Sequence, residues 1–180
     1  GYVSIKSRTN LHNEHGALIR SRAASVSARS TYGTIYNRYN AALHAKKTVT
    51  ARSARGHVHN HGATMHAIDT DLNITAALSV ENHKWSTTRG RLEAGRHLRA
   101  QAGTSHFWHH NSDMIAGGYM RIGSTNTHVL AQVGATFSQG GTFTATSGNY
   151  QGYGVRLLGT PVTATAISLA STSGYIQVEP

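Results

Sequence analysis

Residues 64–84 read Thr64-Met65-His66-Ala67-Ile68-Asp69-Thr70-Asp71-Leu72-Asn73-Ile74-Thr75-Ala76-Ala77-Leu78-Ser79-Val80-Glu81-Asn82-His83-Lys84. Ile68, Leu72, Ile74, Ala76, Leu78 and Val80 fall on even numbers, with Asp69, Asp71, Asn73, Thr75, Ser79 and Glu81 between them. A period of two sends the first set to one face of an extended chain and the second to the other. A helix would scatter both sets around its circumference. Leu72, Ile74, Leu78 and Val80 are therefore expected to face inward, and Asp71, Asn73, Ser79 and Glu81 outward.

The alternation extends in both directions. Tyr39, Ala41, Leu43, Ala45, Val49 and Ala51 take odd positions, and Leu92, Ala94, Leu98, Ala100 and Ala102 even ones. After Ser124 the phase is odd again, through Val129, Ala131, Val133, Ala135 and Phe137 to Phe143, Ala145, Tyr153, Val155 and Leu157. Phase changes imply bulges or odd-length turns. Single glycines punctuate the pattern, while Asn-Gly, Asp-Gly and Pro-Gly are all missing, so tight hairpins lack their best signal. The reading is an all-β fold with less than about one-tenth helix. It takes the form of an elongated β-helix or an intertwined trimeric β-prism, with a jelly roll or other β-sandwich as the alternative. Residues 1–34 are the least regular and read as an irregular or connecting segment, with a helix-like stretch from Leu11 to Ile19. Residues 35–180 read as the repetitive β domain.

Composition supports a narrow interior. Apolar residues make up 38% of the 180, many of them alanine, and there are only 3 phenylalanines. So thin a core is marginal for a lone chain. The expectation is a homo-oligomer, a trimer before other states. The chain starts at Gly1, as a fragment or processed product would, and cysteine is absent, which excludes disulfides and thiolate metal sites. The net charge of +10 resides in residues 1–100, which hold 15 basic and 5 acidic side chains. With no dense Lys/Arg block, this reads as solvated charge, and nucleic acid is not the expected partner.

Three stretches carry a family texture: Leu92-Glu93-Ala94-Gly95-Arg96-His97-Leu98-Arg99-Ala100-Gln101-Ala102-Gly103, Ile115-Ala116-Gly117-Gly118-Tyr119-Met120-Arg121-Ile122-Gly123, and Ile167-Ser168-Leu169-Ala170-Ser171-Thr172-Ser173-Gly174-Tyr175-Ile176-Gln177-Val178. They resemble the spike proteins of contractile injection machines, both phage tail spikes and the valine-glycine-repeat spikes of type VI secretion. Filamentous-haemagglutinin-type adhesins share the texture. The resemblance implies a rigid three-sided trimeric needle that punctures membranes and is not an enzyme. Its partners would be other tail or baseplate proteins and the target cell envelope, and its location a virion or the extracellular space. The alternatives are a surface adhesin or filament subunit, and a viral coat protein.

Thirteen histidines are the oddest feature of the composition. His57, His59 and His61 alternate, so on a strand their rings share one face and are the candidate ligands for a transition metal. Val58, on the apolar phase, puts those rings outward, and the expectation is titrating surface groups with no stoichiometric metal. His106, His109 and His110, with Phe107, Trp108 and Asp113, form a second cluster, in which Phe107 and Trp108 are expected to anchor a loop. Asp69 and Asp71 are the one same-face carboxylate pair that a hydrolase reading can use. Seven acids in the chain leave few partners for it, and no cofactor is expected.

Overall fold

In the computed structural model, which describes residues 1–132, 134–148 and 152–180, the chain is a β-helix of about 7 turns built from three parallel sheets. Sheet I stacks Val3–Ser7, Val26–Ser30, Val49–Ser53, Leu72–Ala76, Leu98–Ala102, Met120–Ser124, Thr142–Ser147 and Ala166–Ser171. Sheet II stacks Leu11–Asn13, Ile35–Arg38, Val58–His61, Val80–His83, Phe107–His110, Val129–Gln132, Tyr153–Leu158 and Tyr175–Glu179. Sheet III stacks Leu18–Ser21, Ala42–Ala45, Thr64–Ala67, Arg91–Ala94, Asp113–Ala116, Thr136–Gln139 and Val162–Thr163. Among the described residues there is no helix, and Leu11–Asn13 and Leu18–Ser21 occupy the stretch that reads as helix-like. Residues 1–34 already run in register with the coils above them, Val3 pairing with Val26 and Leu11 with Ile35. Parallel pairing throughout the three sheets leaves no room for a jelly roll, whose strands are antiparallel.

The chain returns to the same place every 21 to 27 residues. In sheet I, Val3, Val26, Val49, Leu72, Leu98, Met120, Phe143 and Ile167 stand in one row, at steps of 23, 23, 23, 26, 22, 23 and 24. The long step belongs to the coil in which residues 84–90 bulge outward, closed by paired Trp85 and Thr88 backbones. Val26 through Phe143 in that row are fully buried. Ala28, Ala51, Ala100 and Ala145, also buried, stand two residues along their strands. Small and large side chains thus share a thin interior, which one chain closes by itself.

Polar rows line the inside too. Asn13 donates to Asn37 (2.7 Å), Asn37 to Asn60 (2.7 Å) and Asn60 to Asn82 (2.8 Å), each through its side-chain amide. All four asparagines are buried, so the ladder satisfies groups that water cannot reach. At the corner after sheet I a row of serines ties coil to coil. Ser53 Oγ accepts from Gly56 N (2.8 Å) and donates to the Gly33 carbonyl (2.7 Å) of the coil below. A Cβ on Gly56 would stand 2.4 Å from that same carbonyl oxygen, so only glycine lets the two backbones approach. The corner from sheet II to sheet III bends through left-handed residues: His15, Asn40, Gly62, Asn111 and Gly134 have φ of 55, 63, 56, 43 and 67°.

Burial follows the predicted register within strands and departs from it at corners. Leu72, Ile74 and Val80 are buried, and Asp71, Asn73 and Glu81 lie on the outer face, as expected. Ile68 sits at the corner between sheets III and I and is 42% exposed, while Leu78 is only half-buried. Ser79, expected outside, shares the outer face with Glu81 but is buried there, because Glu81 and the His57 ring cover its hydroxyl. A corner reorients the chain and resets the alternation, so a phase cannot be carried through it. The inward placements expected of Val133 and of the Tyr153 side chain lie outside the described residues.

Candidate metal centre

The outer face of sheet II positions the histidines. Val80 pairs with Val58 below and Phe107 above, and each strand alternates. Val58, Asn60, Val80, Asn82, Phe107 and His109 point into the core, so His59, His61, Glu81, His83, Trp108 and His110 point out. Extended by the residue before each strand, three rows stand one above the other: His57-His59-His61, Ser79-Glu81-His83, and His106-Trp108-His110. Glu81 occupies the centre of this array, ringed by six histidines.

Four rings close on its carboxylate. His59 Nε2 lies 3.5 Å and His106 Nε2 3.4 Å from Glu81 Oε1, and His61 Nε2 3.4 Å and His83 Nε2 3.3 Å from Oε2. All four Nε2 atoms are shielded from solvent and none closes a hydrogen bond. The Glu81 side chain itself is 15% exposed. Burial pushes its carboxyl up, but the His106, His59, His61 and His83 rings outweigh it and hold the group far below the usual carboxylate range. Burial lowers His61, partly offset by Glu81, and burial together with His59 lowers His57. Such rings are neutral at pH 7, the form that ligates metals. Ser79 Oγ donates to Glu81 Oε1 (3.0 Å) and lies 2.6 Å from His57 Nδ1, which orients both side chains. Two sets of ligand atoms, His57/His59/Glu81 and His61/Glu81/His83, each gather within 4.8 Å of one another.

The three histidines singled out in the sequence thus face outward, as their register predicts. Their neighbours are what the sequence reading missed: Glu81 and His83 from the next coil, and His106 from the one after. The signal was present as spacing, since His59-Asn60-His61 and Glu81-Asn82-His83 repeat at 22 residues, one coil apart.

The second sequence cluster is divided by its strand. Phe107 is fully buried in the core and Trp108 lies on the outer face against His83 (4.4 Å between ring centroids), so both belong to a strand and neither anchors a loop. His109 points inward, and Asp113 joins sheet III, where Arg89 binds it. Asp71 is held by Arg96 (3.1 Å) and Arg99 (3.6 Å), while Asp69 is exposed at a corner. Sheet III carries a smaller stack, His44 over His66 (4.9 Å), with Glu93 3.8 Å from His66. Comparison with known protein families, with curated proteins and with solved structures finds no match.

Proposed function

We propose that this chain is a length of non-enzymatic shaft, a stiff β-helix that displays rows of side chains along flat faces, as a segment of an extracellular filament or surface adhesin. The observation that carries this reading is the self-sealed core. Among the described residues, strands of successive coils are hydrogen-bonded to one another and a core of their own side chains runs from Leu11 to Leu157, which supports a rod built from one chain. The carboxylates support a structural role as well. Glu14 binds Arg38, Asp71 binds Arg96 and Asp113 binds Arg89 across neighbouring coils, and Glu93 binds Arg91 within one strand, an arrangement that consumes acids in ion pairs. On sheet I, Lys6, Arg29 and Arg52 form a basic row suited to the anionic envelope of a target cell.

A second reading, the injection spike, draws support from the three sheets, which give even one chain a three-sided cross-section. It requires a homotrimer docked on baseplate proteins. Electron micrographs of negatively stained protein, with sedimentation at micromolar concentration, separate the two. Single-chain rods, alone or joined end to end, are the expected result. A stable three-chain needle replaces it with the spike, and closed shells overturn both in favour of a coat protein.

A further inference from the structure

We propose that the outer face of sheet II is a transition-metal site, in which His61, Glu81 and His83 hold a divalent ion of the zinc type and His59 and His106 flank the other carboxylate oxygen. The distances are the first argument. Ligand atoms bound at about 2.0–2.1 Å in a tetrahedron stand about 3.3–3.4 Å apart along each edge. The His61 and His83 Nε2 atoms lie 3.4 and 3.3 Å from Glu81 Oε2. A direct N–H to carboxylate hydrogen bond would draw them to about 2.7–2.9 Å. These two nitrogen-to-oxygen edges therefore match the separation that an ion between them sets.

The second argument is the state of the rings. Four Nε2 atoms converge on one carboxylate, sheltered from water and without a hydrogen-bond partner. Buried polar atoms without partners are rare and costly, and a cation between His61, Glu81 and His83 satisfies two of the four at once. The donor set supplies the third. Imidazole and carboxylate without thiolate suit zinc, nickel, cobalt or copper(II) in preference to calcium or magnesium, which favour oxygen ligands. Two histidines and a glutamate leave a fourth position for water or for a side chain of a docked partner. The ligands sit on rigid paired strands of adjacent coils, His61 on one and Glu81 and His83 on the next, so the ion would staple two turns of the rod.

The test uses tag-free full chain, stripped with a chelator and titrated with zinc chloride by calorimetry at pH 7.5. Saturable uptake of one or two ions per chain is expected, with a thermal midpoint raised by about 5 °C or more at a hundredfold excess over the dissociation constant. Copper(II) should quench Trp108, which touches His83, in a Trp85→Phe background. The Glu81→Gln and His61→Ala/His83→Ala variants should lose at least tenfold in affinity, while His44→Ala/His66→Ala on the opposite face keeps it. Should the first variants fail to fold, anomalous scattering from a zinc-soaked crystal of the unaltered protein locates the ion directly. A peak between His61, Glu81 and His83 supports the site. No saturable uptake, a peak at His44 and His66, or unchanged uptake in a folded His61→Ala/His83→Ala variant overturns it.

Discussion

Asn82 directs its side-chain amide to Nδ1 of His109 at 3.2 Å, and at that step the buried asparagine ladder passes to an imidazole. The other ring nitrogen, Nε2, lies 3.1 Å from the Thr136 carbonyl oxygen. A carbonyl only accepts, so Nε2 carries the proton and Nδ1 accepts from Asn82. The ring is neutral, fully buried and fixed in one tautomer.

That tautomer predicts acid sensitivity. Burial pulls His109 down to about 4, with the Thr136 carbonyl and Asp113 acting against the shift and Arg89 with it. Between that value and about 6.5 the unfolded chain binds the proton and the folded chain does not, so stability is complete above this window and falls as pH drops through it. The loss should reach roughly 3 kcal/mol once pH is below 4. His109→Asn, which continues the ladder, should flatten this part of the profile in urea titrations at pH 7, 5.5 and 4. An unchanged slope in the variant refutes the assignment.

Interrupting the ladder lower down should cost stability at every pH. Asn60 donates to Asn82 (2.8 Å) and to the Ala63 carbonyl (2.8 Å), and accepts from Asn37 (2.7 Å). Leucine at this position leaves the amide of Asn37 and the carbonyl of Asn82 short of a partner. Asn60→Leu should lose about 2–4 kcal/mol in equilibrium denaturation, despite its greater hydrophobicity.

The corner that exposes Ile68 and buries Leu72 makes a matched pair. Leu72 is 0% exposed, so Leu72→Asp buries a charge without a partner and should cost several kcal/mol or prevent folding. Ile68→Asp, four residues away on the apolar phase of the sequence, should change stability by less than about 0.5 kcal/mol. Equal effects in thermal melts would mean that the corner is placed wrongly.

Arg89 joins neighbouring coils from outside. It donates to Asp113 (2.8 Å), to the Ser112 and Gly134 carbonyls (3.1 and 2.6 Å) and to Asn111 Oδ1 (3.0 Å). Arg89→Ala should cost about 1–2 kcal/mol, a value tempered by solvent around a partly exposed pair. Burial raises the Asp113 carboxyl, but Arg89 and Thr136 more than offset this and leave it lowered. Its stabilisation is thus present above the ordinary aspartate value and lost as pH falls through the lowered one. That window lies below the His109 window, so the acid arm of a wild-type pH–stability curve should show two steps, of which Arg89→Ala weakens the lower.

Strands were legible because alternation is a local property: Leu72, Asn73 and Ile74 declare their faces without reference to the rest of the chain. The coil period was not, because a stacked row accepts any apolar side chain of suitable size, and one row runs from Val49 through Leu72 and Met120 to Phe143. The serine and asparagine rows hold the period more visibly, as Ser7, Ser30 and Ser53 at steps of 23. Ile68 was misplaced for a different reason: a corner residue takes its orientation from the coil below, which periodicity does not report. The carboxylate at the centre of the histidine array escaped notice because the histidines around it come from separate turns, and only knowing the turn length brings them together.

The constant return of the chain to one register makes length a quantity that comes in whole units. Excising residues 26–48 would place Val49 directly above Val3, with valine over valine, Ala51 over Ile5 and Ser53 over Ser7, as the existing neighbours already stand. Duplicating the same 23 residues would lengthen the rod by one strand spacing, about 4.8 Å, and leave every face aligned. A cut of half that size would bring sheet II residues onto sheet I and place the histidine face against the wrong side of its neighbours. Descent by duplication and loss of complete turns is thus open to this sequence, while partial ones are closed to it.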